Sequence, residues 1–145
     1  MLWFWAALLA AVLWGFSYAA VGNILKSGLS SFTLMAFYTW VAAPLFTFIA
    51  WRQGTLVKGI SIVKANTNLL FWIIIMVACY FFGNALVYWA IKQKNATAVS
   101  LIEITYPLFV ALFSWGIFGQ NHLTPSTLAG GVLIFAGVTV MYVFK

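Results

Sequence analysis

Glu103 is the one acidic residue in a chain of 145 that carries seven Lys and Arg. It lies inside a long apolar run, where a carboxyl group is costly unless it faces a partner or a water-filled cavity, and where it is a functional candidate by default. A carboxyl that binds and releases a proton as access alternates is what a proton-coupled carrier requires. The alternatives are a pair with a Lys near a helix end, or a side chain that reaches back to the interface.

Two prolines lie within the apolar runs. Pro107 lacks the N–H that would bond the carbonyl of Glu103, and Pro44 does the same to the carbonyl of Trp40. We therefore predict a helix kink at each proline. Irregular backbone at depth is tolerated where it is buried in protein or lines water, which favours a site near Glu103. The alternative is that these prolines only shape the helix bundle.

Other polar and aromatic side chains recur at helical spacing, three or four residues apart. Asn84 stands between Tyr80 and Tyr88 on one face, and an amide in lipid needs hydrogen-bond partners. Aromatic ring faces attract cations, so such a lining suits an amphipathic or cationic organic solute. The alternative is that these rings only pack or anchor at the interface. Beside Glu103, the predicted pathway residues are Trp14, Tyr18, Tyr80, Asn84, Tyr88, Ser100 and Tyr106.

Membrane-spanning helices must position these residues. The chain is 66% hydrophobic and 6% charged, which is too little polar surface to cover a soluble domain. A helix needs about 20 apolar residues to cross the hydrocarbon core, and the apolar runs of this chain have that length. They are too long to be the strands of a membrane barrel, so the spans must be helices. We predict an all-α integral membrane protein, a bundle of five transmembrane helices that forms a single domain of residues 1–145. The predicted helices cover residues 2–25, 32–51, 69–91, 96–118 and 125–144.

Polar breaks separate the predicted helices and supply their caps. Ser30–Ser31 suits the N-terminus of the second helix, Asn66–Asn68 that of the third, and Thr124–Pro125 that of the fifth. The longer break of residues 52–66 contains apolar residues that suit a short interfacial helix.

The basic residues divide almost evenly between the two sides of the membrane, three against four. Most membrane proteins show a clear basic excess on the cytoplasmic side. Either the basic residues clustered in the second break fix a single orientation of the chain, or copies of the chain insert in both orientations and pair antiparallel. The first side carries Arg52, Lys58 and Lys64, and the other carries Lys26, Lys92, Lys94 and Lys145.

Four segments resemble the repeat unit of the drug/metabolite transporter superfamily, of the EamA type. They are Trp14–Tyr18, Ala90–Ala98, Tyr106–Leu112 and Phe118–Val138, and their order and spacing cover nearly the whole chain. The resemblance implies one half of an inverted-repeat transporter fold, because the usual member has ten helices in two inverted five-helix repeats. Two antiparallel copies would complete such a fold, with a site at their interface near the midplane. The resemblance also implies a bacterial-type inner membrane.

Gly130, Gly131 and Gly137 lie in the last predicted helix, and small residues let helices approach closely. This helix also resembles the dimerisation helix of small multidrug resistance transporters, which work as antiparallel dimers. We assign the three glycines to helix packing, either between copies or within one subunit.

The remaining chemistry-bearing residues exclude other classes of function. Cys79 is the single cysteine, and no metal cluster, phosphate-binding glycine loop or nucleophile constellation is present in the sequence, so we predict neither an enzyme nor a cofactor. No contiguous basic face suits nucleic acid. His122 in a polar break has little support as a pH sensor.

We predict a secondary transporter of small organic solutes, either metabolites or drug-like compounds. It would be coupled to protons or another cation and would act as an antiparallel dimer in the lipid bilayer. One alternative is a half-transporter that needs a distinct five-helix partner subunit. The other is a structural or assembly subunit of the membrane without transport activity.

Overall fold

The computed structural model describes residues 2–120 and 124–144. The predictions that concern Asn121, His122 and Lys145 therefore fall outside the described residues. The described elements are α-helices: α1 (Leu2–Lys26), α2 (Ser31–Arg52), α3 (Thr55–Ala65), α4 (Thr67–Gln93), α5 (Ala96–Glu103), α6 (Tyr106–Gly116) and α7 (Pro125–Val143).

Five segments of the described chain are long and apolar enough to cross a membrane. They are α1, α2, α4, the segment Ala96–Gly116 that contains α5 and α6, and α7. The five-helix, all-α membrane architecture is thus confirmed for the described residues, and the helix ends lie close to the predicted ones. That these helices form one domain stays a prediction.

Side-chain caps begin two of the spanning helices where the sequence predicts them. The Asn66 side-chain oxygen accepts a hydrogen bond from the Leu69 N–H at 3.1 Å, at the start of α4. Thr124 caps α7 by accepting from the Thr127 N–H at 3.2 Å, and Pro125 follows as the first helical residue. Ser30 occupies the N-cap position of α2, but its side chain makes no capping bond. Local polar residues therefore fix the starts of α4 and α7 more firmly than that of α2.

The short helix predicted in the break of residues 52–66 is present as α3, between two spanning helices, and its location at the membrane interface stays a prediction. Gly54 precedes it with φ of 67°, in the left-handed region that favours glycine. The Thr55 hydroxyl donates to the carbonyl of Ala50 at 3.1 Å, which ties the start of α3 to the end of α2. α3 also contacts α4, so it packs against the helix on either side of it in the chain.

The chain divides into two compact units. One unit comprises residues 20–93, in which α2, α3 and α4 contact one another and the rings of Phe32 and Phe81 stack with centroids 6.4 Å apart. The other comprises residues 2–19 together with the described residues from 94 onward. In this second unit the side chain of Leu108 on α6 lies against Gly131 of α7. The spanning helices of both units expose most of their large apolar side chains, as lipid-facing helices do.

Candidate functional site

Glu103 is the last residue of α5, and its side chain is half-buried. Its Oε2 atom is fully covered and has no hydrogen-bond partner among the described residues. No Lys or Arg in the described part of the chain forms an ion pair with it. The alternative in which Glu103 forms an ion pair with a Lys near a helix end is therefore not seen in the described part of the chain. A covered carboxylate oxygen without a partner is costly in a folded protein, so Glu103 is a candidate for binding a proton, a cation or a solute.

The hydroxyl groups nearest to Glu103 in the chain are bonded to backbone and do not satisfy the carboxyl. Ser100 donates to the carbonyl of Thr97 at 3.0 Å, and Thr105 donates to the carbonyl of Ile102 at 2.9 Å. These bonds occupy the one proton that each hydroxyl can donate. The carboxyl of Glu103 is thus left for a group that these residues do not supply.

The fourth span is interrupted directly after Glu103. Residues Ile104–Thr105 form a turn between α5 and α6, and Pro107 lies in the first turn of α6. The Leu108 N–H donates to the carbonyl of Thr105, three residues earlier, at 3.0 Å. No backbone N–H of the described residues donates to the Glu103 carbonyl, as the missing N–H of Pro107 predicts. One residue therefore carries both a free carbonyl and an unpartnered carboxyl within the span.

Pro44 lies inside α2, which spans Ser31 to Arg52 as one helix, and the kink at this proline stays a prediction. Tyr106 begins α6 and is exposed, so Ser100, Glu103 and Tyr106 do not form a row on one continuous helix. The turn of Ile104 and Thr105 separates α5 from α6, which the sequence spacing alone does not reveal.

The face of α4 that carries Tyr80, Asn84 and Tyr88 belongs to the unit of residues 20–93. The Asn84 side chain donates to the carbonyl of Tyr80 at 2.8 Å, so its own helix satisfies part of the amide. Tyr80 is exposed, whereas Tyr88 is half-buried and lies near enough to Tyr38 of α2 for an electrostatic interaction. Tyr38 is not among the residues predicted from the sequence, although it is a tyrosine inside a predicted span, as Tyr80 and Tyr88 are.

The aromatic pair of α1 lies in the other unit, together with Glu103. The rings of Trp14 and Tyr18 meet edge to face, with centroids 6.3 Å apart and planes at 81°. Trp14 is exposed, and Tyr18 is half-buried. The structure thus brings together Trp14 with Tyr18, and Tyr80 with Asn84, as the helical spacing predicts.

The glycines of α7 have two different environments. A side-chain carbon added at Gly131 would collide with the Leu108 side chain, whereas one added at Gly130 or Gly137 would meet nothing within 4 Å. Gly130 and Gly137 share a face with Leu133, which is 73% exposed. Gly131 therefore packs within the subunit, while the face of Gly130, Leu133 and Gly137 is open among the described residues.

No cluster of three or more His, Cys, Asp and Glu residues that could bind a metal occurs in residues 2–120 and 124–144. Cys79 is free and exposed on α4. Neither finding adds a further reactive group to the site around Glu103.

Five apolar spans, one of them interrupted directly after an acid that has no partner among the described residues, define a multi-pass helical membrane protein. The chain matches the EamA-like transporter family over residues 1–143. It therefore belongs to this family, within the drug/metabolite transporter superfamily, and is a membrane transporter. No curated protein and no solved structure matches the chain.

Proposed function

We propose that this protein is a proton-coupled secondary transporter of small organic solutes and that Glu103 is its coupling site. The observation that carries the proposal is the covered Oε2 of Glu103, which has no hydrogen-bond partner in the described part of the chain. A structural acid at this depth would be held by a cation or by donors. A coupling acid must instead exchange its ligand, so it gains from having no permanent partner.

The helix break supports this role for Glu103. The carboxyl can bind a proton or another cation, and the free carbonyl of the same residue can accept a hydrogen bond from a solute. Interrupted spanning helices supply backbone acceptors of this kind in many secondary transporters. Binding at Glu103 would then alternate between a proton and a solute as the bundle opens to either side.

The aromatic and amide groups favour an organic solute, metabolite or drug-like, with a cationic or amphipathic character. Tyr80, Asn84 and Tyr88 line one face of α4, and Trp14 pairs with Tyr18 on α1. Aromatic faces attract cations, and the single anionic group of the chain adds to this preference. Ser100 and Tyr106, on either side of Glu103, complete the proposed pathway.

We further propose that two copies pair antiparallel in a bacterial-type inner membrane. The even division of basic residues supports insertion in both orientations. The open face of Gly130, Leu133 and Gly137 supports close approach of a second helix, because a partner there would meet no side chain at either glycine. A distinct five-helix subunit that uses the same face is the alternative arrangement.

Transport by proteoliposomes tests the coupling role of Glu103. Vesicles with an acidic interior are diluted into alkaline buffer that contains a labelled organic cation (tetraphenylphosphonium), a neutral amino acid or an organic anion. We expect the wild-type protein to accumulate the cation and Glu103→Gln to reduce its uptake to that of protein-free vesicles. Glu103→Asp retains a carboxyl and should retain part of the uptake. Thr105→Val is the matched control, because the Thr105 hydroxyl already donates to the carbonyl of Ile102 and not to the Glu103 carboxyl.

The outcomes separate the proposed function from its rivals. Gradient-driven uptake by Glu103→Gln at the wild-type rate would refute coupling through this residue. Uptake of none of the three probes by a correctly inserted wild-type protein would favour the assembly subunit, or a half-transporter that lacks its partner.

A further inference from the structure

A groove of about 790 Å³ lies where α3 meets the end of α2 and the start of α4. Its volume is within the range of roughly 300 to 1,000 Å³ that is typical of small-molecule sites. The groove lies entirely within the unit of residues 20–93 and is separate from Glu103. Its apolar side chains include Leu56, Ile60, Val63, Leu70 and Ile73.

The position of this groove along the helices places it at the membrane interface. α2 ends at Arg52 and α4 begins at Thr67, so residues 53–66 connect two spans on one side of the bilayer. The groove is lined by the last turn of α2, by α3 and by the first two turns of α4. Lipid head groups and the first carbons of their acyl chains occupy this depth.

The charge of the groove is positive and uncompensated. Lys64 lines it and forms no ion pair with the described residues, while Arg52 ends α2 and Lys58 lies on α3. Residues 50–73 contain no acidic side chain in the sequence. An occupant with an apolar chain and an anionic head complements both parts of the groove, because a basic residue at the membrane surface attracts anionic lipid.

We infer that this groove binds one anionic phospholipid, with an acyl chain along the apolar side chains and the phosphate at Lys64. Charge complementarity and interfacial depth together select this occupant over a zwitterionic lipid. The site is independent of the proposed coupling role of Glu103, and its occupancy would pin α3 at the head-group level.

Gly59 provides a way to close the groove without removing its charge. It lines the groove in the middle of α3, and a side-chain carbon added there meets nothing within 4 Å. A leucine at this position would project into the space that the acyl chain occupies. Gly83 in α4 is the matched control, because it also has nothing within 4 Å and lies outside the groove.

Native mass spectrometry of the detergent-purified protein, titrated separately with phosphatidylglycerol and phosphatidylcholine, tests the inference. We expect one tightly retained phosphatidylglycerol in the wild type. Lys64→Gln should weaken this binding about fivefold, the factor that one basic residue contributes near anionic lipid. Gly59→Leu should abolish the tight site, whereas Lys92→Gln and Gly83→Leu should leave it intact.

Three results would overturn the inference. Equal retention of both lipids by the wild type would exclude a site selective for anionic head groups. Unchanged binding in Gly59→Leu would place the lipid elsewhere on the protein. A wild-type dimer that Gly59→Leu converts to a monomer would identify the groove as an interface between two copies of the chain.

Discussion

The even distribution of basic residues predicts that this chain inserts in both orientations. Single cysteines at Gln53 and Gln93, introduced separately in a Cys79→Ala background, report the two sides of the membrane. Gln53 follows α2 and Gln93 ends α4, and both are exposed. The native Cys79 must be removed because it is also free and exposed.

The expected ratio of orientations follows from the charge count of three against four. Each basic residue near an anionic leaflet is worth about 1 kcal/mol, so a difference of one residue favours one orientation by about fivefold at most. The minor orientation should then amount to at least about 15% of the protein by the same energy. Ser61→Arg with Ala65→Arg, both on exposed positions of α3, would change the count to five against four. This reversal by about 2 kcal/mol should move the ratio about thirtyfold.

Labelling of intact cells with an impermeant maleimide, followed by labelling after permeabilisation, measures these fractions. Both cysteines should react in intact cells, with Gln53→Cys the more reactive, and the two arginine substitutions should reverse this preference to about fivefold in favour of Gln93→Cys. Labelling at only one position in the otherwise native chain would refute dual insertion. The antiparallel homodimer would then be rejected in favour of a distinct partner subunit.

Two further predictions concern the segment that holds Glu103. The Asn95 side-chain oxygen caps α5 by accepting a hydrogen bond from the Ala98 N–H at 2.8 Å. Asn95→Ala removes this cap and should lower the free energy of unfolding by about 1 kcal/mol, measured by denaturant unfolding in detergent. Asn95→Ser keeps a capping oxygen and should avoid most of this loss. Pro107→Ala returns an N–H that can bond the Glu103 carbonyl, so the protein should become more stable while proton-driven uptake falls. Full uptake in a stabilised Pro107→Ala variant would contradict a role for the free carbonyl.

The spans and most helix starts could be predicted from sequence because their signals are local. An apolar run of sufficient length fixes a spanning helix whatever packs around it. The caps at Asn66 and Thr124 bond an N–H only three residues away, so the residue type and its position suffice. The spacing of Leu56, Ile60 and Val63 likewise indicates α3, because these side chains share one helix face.

The details of the site depend on choices that the sequence leaves open. Pro107 predicts a kink, but the helix stops earlier, at Glu103, where the Thr105 hydroxyl also bonds to the backbone. Asn84 bonds to its own helix, and only its rotamer and neighbours decide between this and a partner on another helix. The rotation of α7 against α6 decides that Gly131, and not Gly130, meets Leu108.

An antiparallel pair would hold its two Glu103 carboxyls at different depths. Glu103 lies seven residues after Ala96, about 10 Å along the helix, in a core of about 30 Å. Inversion of the second copy therefore separates the two carboxyls by at least about 10 Å along the membrane normal, too far to share a proton. Nitroxide labels at Gln93→Cys in a Cys79→Ala background should then lie at least about 30 Å apart, on opposite surfaces. Pulsed electron paramagnetic resonance measures this distance, and a separation below about 20 Å would indicate a parallel pair, because parallel copies place both labels on the same surface. In the antiparallel pair each carboxyl lies closer to a different surface, so protons would load the two sites from opposite sides of the membrane.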